Sequence, residues 1–482
     1  MKAPNGRGKS PSRGRNNGFV IIVIILMAIA AMFAAAFLLK PKALAIDCNV
    51  PALSQNAQFK EHSKKIQAKV YVDGTPSMNG FVAIEGSRYI RALRSLNTAI
   101  TGKWKDAQIQ FYRFGDDRRD LLTPTDFLNA QKPIFYPKTP EEVNTNYPWF
   151  ANSQINNVVK TDKPSNDSLV LIVSDMTENN QNIRDILESF KQKYLNAGFS
   201  VGVLAQRSQF NGTVYDVGNN NEFFEWNTNL PERKKNGDKS YRPFYILMLG
   251  RYANINYLYE RLVESEPDIA EGSKFVIFDN KAIDSAIALD LQKSPPTQTD
   301  GVVTGINYKG AFTELGEPES SKVQILRLLP NKSYSYSYKI NQQAALPHTV
   351  AAFARELEHT VEASKFDASV KDLVKNDAAK QFVKAKEVRF SSQQTEVEVN
   401  FNIESGVDGT YKFIIKSTLD KLPLIPWFKE WSSDESNKND GARTFNVFQL
   451  LNGLHQLVVT ANSDRPKDDK LMSKLCFVAE IH

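Results

Sequence analysis

The run Phe19–Leu39, FVIIVIILMAIAAMFAAAFLL, constrains this chain more than any other stretch: 21 residues without a charge, a polar side chain, a glycine or a proline. A helix rising 1.5 Å per residue carries such a run across the ~30 Å hydrocarbon core of a bilayer. A core helix of a soluble domain would keep a polar face, and this run offers none. Ahead of it stand Lys2, Arg7, Lys9, Arg13 and Arg15 with no acid among them, and positive flanks favour the cytosolic side. The sequence therefore reads as a single-pass membrane protein: a basic cytosolic tail over 1–18, a transmembrane helix over 19–39, a polar linker over 40–65, and extracytoplasmic domains beyond. A cleaved signal peptide is the alternative; its apolar region normally runs ~7–15 residues, shorter than this one, although Ala43-Leu44-Ala45 has the small side chains of a cleavage site.

Of the formal net charge of +6 over 482 residues, that tail supplies most. The remainder is near neutral, so charge gives no support to nucleic-acid binding. Apolar residues at 41% and charged residues at 24% are those of folded domains. Cys48 and Cys476 are too few for a disulfide scaffold or a thiolate metal site. In an oxidising compartment they could form one bond tying the two ends of the outer part; otherwise they are unrelated thiols. Asn/Gln-rich polar loops and scarce cysteine fit a bacterial envelope protein.

From residue 66 the pattern alternates between strand and helix. Ala68–Val72 is short, apolar and β-branched; Ile90, Leu93, Leu96 and Ile100 then share a helical face. Gln108–Phe114 alternates and stops at Gly115. Ser168–Val173 is a continuous apolar run, as expected of a strand covered on both faces. Ile183, Ile186, Leu187, Phe190 and Tyr194 return to helical spacing, and Phe199–Leu204, Phe244–Leu249 and Lys274–Phe278 read as further strands, with a helix around Ile255–Leu262. Such alternation predicts an α/β domain with a doubly wound, mostly parallel sheet over 66–285, interrupted by a polar loop or insertion at 207–240. After a Ser/Pro/Thr-rich joint at 294–299, residues 300–482 read as a β-rich, sandwich-like domain. Strands are expected at Val323–Leu328, Tyr334–Ile340, Val388–Phe390, Glu396–Ile403 and Tyr411–Lys416, with helical insertions near 349–363 and 368–385 and a helix at about 445–460. Tyr334, Tyr336 and Tyr338 fall on one strand face, suited to packing, and Trp427, Phe428 and Trp431 form an aromatic knot that could lie between domains.

The chemistry concentrates where the first strand ends, in Val72-Asp73-Gly74-Thr75-Pro76-Ser77-Met78-Asn79-Gly80. Asp73, Thr75 and Ser77 alternate between a strand and a helix, the place where open α/β sheets bind ligands. One carboxylate with two hydroxyls is a hard-oxygen set, suited to Mg2+ or Mn2+, or to Ca2+, rather than to zinc. The bland alternative is a turn in which Asp73 and Ser77 cap backbone N–H groups.

This stretch resembles the von Willebrand factor A family and its metal-ion-dependent adhesion site, Asp-x-Ser-x-Ser followed by Met-x-Gly. Thr75 replaces the first serine but keeps the hydroxyl, and Pro76 stands where glycine is common. The resemblance implies a second aspartate at a later strand end, matched by Asp175 after Ser168–Val173. It also implies a further hydroxyl, for which Ser153 fits best by position, with Thr145 as the alternative. On this resemblance Asp73, Thr75, Ser77, Ser153 and Asp175 hold a divalent cation whose open position takes an Asp or Glu from a partner protein.

Enzyme signals are few. Tyr71-Val72-Asp73-Gly74-Thr75 also resembles the first motif of haloacid-dehalogenase-type phosphatases, but Tyr71 replaces the nucleophilic aspartate, so no aspartyl-phosphate forms by the usual route. Asp116–Asp120 reads as a solvated charged turn. His62, His348, His359, His455 and His482 form no metal-ligand pair, and neither a Gly-x-Ser-x-Gly elbow nor a phosphate-cradling loop is present. The expectation is thus a non-enzymatic, membrane-anchored binding module. The alternatives are a metal-free structural subunit of an envelope complex, or an unrecognised metal-dependent hydrolase, for which Glu178 would be the base.

Overall fold

The computed structural model describes residues 61–481 except 105, 143–145, 179, 219, 221, 281–286, 289–296, 301–323, 341–347, 351–356, 391–394, 420 and 465–470. Phe19–Leu39, Cys48 and Thr145 lie outside the described residues. Among the described residues no helix is long and apolar enough to cross a membrane.

The first part of the chain lays down β1 (Lys65–Asp73), β2 (Asp106–Gly115), β3 (Arg118–Leu122), β4 (Ser168–Ser174), β5 (Ser200–Ser208), β6 (Asn211–Val217), β7 (Glu222–Asn227), β8 (Arg242–Gly250) and β9 (Ser273–Phe278). Seven of these form one sheet in the order β3-β2-β1-β4-β8-β5-β9, and β6 pairs with β7 in a separate hairpin. β1 runs parallel to both β2 and β4. The remaining pairs are antiparallel. The protein is therefore α/β with a mixed sheet, and the expected parallel layout stops at β8. The cause is the connection. β5 leads to β8 through the β6–β7 hairpin rather than through a crossover helix, so β8 returns antiparallel beside β5 and inserts next to β4.

Both faces of the sheet are covered, which explains the unbroken apolar strands. α1 (Arg88–Lys103) begins at Ser87, whose hydroxyl accepts from the Ile90 N–H. It buries Ile90, Leu93, Leu96 and Ile100 on one face of the sheet. α2 (Ile155–Thr161) and α3 (Asn180–Phe190) cover the other, with Val158, Ile186 and Phe190 fully buried. α4 (Tyr252–Ser265) joins α1, burying Ile255, Leu258 and Leu262.

Further along come β10 (Ile287–Ala288), β11 (Thr297–Asp300), β12 (Gln324–Leu328), β13 (Ser333–Ile340), β14 (Glu358–Asp367), β15 (Asp372–Lys375), β16 (Val383–Phe390), β17 (Thr395–Asn402) and β18 (Gly409–Thr418). β19 (Ser432–Ser433), β20 (Thr444–Phe445), α5 (Val447–Ser463) and β21 (Leu471–Ile481) complete the chain. One sheet runs β10-β21-β18-β14-β15 with β12 also on β21, and a second runs β11-β13-β17-β16. Side chains from both sheets, among them Tyr336, Phe401, Phe413 and Phe477, form one apolar core. Tyr334 and Tyr336 pack into it as their spacing implied.

The helical insertions expected near 349–363 and 368–385 are, where described, mainly strands: β14, β15 and the start of β16, with a single short turn at Asp377–Phe382. Glu, Lys and Ala favour helices there, but β14 lies antiparallel to β18 over its length, and tertiary pairing overrides so weak a preference. Cys476, in β21, is disulfide-bonded; the other cysteine of the chain is Cys48.

The segment between β18 and β21 does not pack with that core. Ile425, Trp427, Phe428 and Trp431, then Val447, Leu450, Leu451, Leu454 and Val458 of α5, belong to the core on the α2–α3 face of the seven-stranded sheet. The chain thus leaves the α/β unit after β9, builds most of the β-rich part, returns to cover the first sheet, and leaves again for β21.

Candidate functional site

β1 delivers Asp73 to its carboxyl end with 0% exposure, followed by Thr75 at 3% and Ser77 at 9%. The Asp73 Oδ1 accepts the Thr75 N–H at 3.0 Å and the Thr75 hydroxyl at 2.7 Å. Thr75 Oγ1 and Ser77 Oγ stand 3.1 Å apart. The three residues that the sequence singled out therefore do converge, with Pro76 opening a short 3-10 turn between the hydroxyls. Gly80 has a physical reason: a Cβ there would fall 2.4 Å from the Phe210 ring. The backbone must approach closely so that the β6–β7 hairpin can pack on the loop. The stretch 207–240, expected as a polar loop, is thus a wall of the site, with Phe210, Val214 and Val217 buried.

β4 ends beside β1 and presents two residues. Ser174, which sequence reasoning passed over, donates to Asp73 Oδ2 at 2.8 Å and accepts the Met176 N–H at 3.1 Å. Asp175 follows, 1% exposed, and Met176 then takes a left-handed backbone with φ 59°. Such conformations are uncommon outside glycine and cluster at functional sites. Burial, and then the nearby charge of Asp175, push the Asp73 carboxyl up to about 6 against its hydrogen bonds from Thr75 and Ser174. Glu178, 5% exposed, is pushed up to about 8, chiefly by burial and further by Asp73 and Asp175. Its Oε2 accepts from Asn182 at 2.7 Å, and this bond and the Ile155 N–H oppose the rise.

Two buried arginines, neither anticipated, frame these acids. Arg113 of β2 donates to the Gly74 carbonyl at 2.7 Å and to the Phe135 carbonyl at 3.0 Å, with its guanidinium 4.1 Å from the Phe150 ring; burial lowers its pKa to about 10. It fixes the loop that carries Thr75. Arg242, the first residue of β8, pairs with Asp175: Nη2 lies 2.8 Å from Oδ2, with both side chains 1% exposed. A charge inside an apolar strand (Arg113 in QIQFYRF, Arg242 before PFYILML) is the signal that could have found them, because an arginine is rarely buried without a specific partner.

Ser153 lies two residues before α2. Its Oγ is buried without a hydrogen-bond partner and makes no hydrogen bond to Asp73, Thr75 or Ser77. The loop that bears it is held by Asp116, whose carboxylate accepts the Ala151 and Asn152 N–H groups at 3.1 and 3.0 Å. The supposed solvated turn at Asp116 therefore has a positioning role.

A cation tests well against this donor set in one respect and poorly in another. Cis ligands of an octahedral ion with bonds of 2.0–2.1 Å lie about 2.9 Å apart, close to the Thr75–Ser77 spacing, and the charge of Asp175 raises the cost of ionising Asp73. Against this, Asp175 already has a cationic partner. Among the described residues no three His, Cys, Asp or Glu side chains form a metal-holding group, so an ion here would rest on hydroxyls. No protein-family model and no curated protein matches the chain.

Proposed function

We propose that the chain is a membrane-anchored binding module of the von Willebrand A type. In this reading Asp73, Thr75 and Ser77, with Asp175 and Ser153, hold an ion of the Mg2+ class outside the cytosol. The observation that carries this is the oxygen cluster at the end of β1: two hydroxyls 3.1 Å apart, one of them donating to a fully buried carboxylate. A bound divalent ion supplies one coordination position for an Asp or Glu of a partner protein. Asp73 orients Thr75, Ser174 orients Asp73, and Arg113 pins the Gly74 carbonyl, so the loop geometry is set before any ligand arrives. The β-rich part would set the distance from the membrane. The inserted antiparallel β8 is where the sheet departs from a doubly wound layout.

Calorimetric titration of Mg2+ and Mn2+ into the full-length chain in detergent micelles tests this. One saturable site that disappears in Asp73→Ala is the expected result. Absence of binding by the folded protein at millimolar ion, both in wild type and with the Arg242–Asp175 pair removed, refutes it. The second reading, a metal-free structural subunit of an envelope assembly, is favoured by the Arg242–Asp175 pair; it requires partner capture to be unchanged by a chelator.

A further inference from the structure

We infer that Arg242 is a built-in competitor for the cation: it pairs with Asp175, and loading the site requires this ion pair to open. The inference rests on the cation reading above and adds to it the residue that sets the affinity.

The arginine is placed for this by the strand inserted beside β4. Tyr245 of β8 registers with Ser174, so Arg242, three residues earlier in β8, overhangs the loop that follows β4. Its hold is lopsided. Nη2 makes the 2.8 Å contact to Asp175 Oδ2, whereas its contact with Thr177 Oγ1 is 3.4 Å and that from Nη1 to the Arg443 carbonyl is 3.5 Å. Nε is buried with no hydrogen-bond partner, and the guanidinium carbon lies 5.4 Å from the centre of the Phe210 ring. One strong bond thus secures a side chain with five donors, and that bond goes to the carboxylate that a cation would need.

Electrostatics make the two occupants alternatives. Unit charges a few ångströms apart interact far more strongly where water is excluded than in bulk solvent. A divalent ion at Asp73, Thr75 and Ser77 would face the guanidinium across Asp175, with both cations drawing on one carboxylate where Asp73, Thr75, Ser77, Asp175 and Arg242 are each at most 9% exposed. The affinity of the native chain is then the affinity of the oxygen set reduced by the work of displacing Arg242.

The experiment is a Mn2+ titration of the full-length wild-type chain, Arg242→Gln, Arg242→Lys and Asp73→Ala. Arg242→Gln is expected to bind Mn2+ roughly ten- to a hundredfold more tightly, the range of an ordinary coupling free energy. Arg242→Lys, which keeps the charge, should stay near wild type, and Asp73→Ala should not bind. If wild type binds and Arg242→Gln binds equally or more weakly, the competitor is refuted and the cation reading stands. If neither binds, the cation reading fails and the inference with it. Should Arg242→Gln unfold through its unpaired aspartate, millimolar Mn2+ restoring the native circular-dichroism spectrum supports the competitor, and failure to restore it counts against it.

Discussion

Glu178 shows how a single buried group reports on this site. Its folded carboxyl titrates near 8 because burial, aided by Asp73 and Asp175, disfavours the charge, whereas an unfolded glutamate titrates near 4.3. Between those values the unfolded chain has released the proton and the folded chain retains it. Stability therefore falls as pH rises through that window and is lowest above it. Glu178→Gln removes the penalty. In the presence of a chelator, its melting temperature relative to wild type should climb between pH 5 and pH 8.5, with a gain of a few kcal/mol, because each tenfold difference in proton affinity between the two states is worth about 1.36 kcal/mol. Parallel curves would show that the carboxyl is not held protonated. At this scale the sequence was partly legible. Asp73, Thr75 and Ser77 lie within five residues and declared themselves. Ser174, Arg113 and Arg242 reach their partners across separations of 101, 39 and 67 residues, which no local pattern encodes.

Among the elements, α5 is fitted to α3 through a glycine. A Cβ at Gly453 would fall 2.3 Å from Leu187 Cδ1, so the helices approach closely where a side chain is missing. In an isolated helix, replacing that glycine would gain up to about 1 kcal/mol. Here Gly453→Val should destabilise instead, by about 1–3 kcal/mol, the usual cost of overfilling a packed contact. Leu187→Ala should recover part of that loss, so the two changes combine non-additively in chemical denaturation; simple additivity would mean the helices do not meet there. Both helices were readable from their apolar periodicity. Their meeting was not, because α5 follows the strands of a different core. The helix expected over 349–363 failed at its described end for the converse reason: Glu358–Asp367 follows its partner strand β18 rather than its own preference.

For the molecule as a whole, the path of the chain matters more than its division at residue 300. Ending the chain at that residue, as the sequence pattern invites, deletes α5 and with it Val447, Leu450, Leu451, Leu454 and Val458 from the cover of the first sheet. At about 1.5–3 kcal/mol for each fully buried side chain, that loss is comparable to the entire stability of a domain. The 1–300 fragment should aggregate or unfold without a cooperative transition, whereas the full chain melts cooperatively. A stable, cooperative fragment would show that the sheet does not depend on its C-terminal cover. The same route has a consequence in time. The last strand of the first sheet ends at Phe278 and α5 ends at Ser463. A ribosome adding 5–20 residues per second needs roughly 10–40 s to travel from one to the other. Throughout that interval Val276 and Phe278 of β9 have been synthesised and α5, which packs against β9 and α3, has not, so the edge of the sheet that α2 and α3 leave open waits for a helix made long after it.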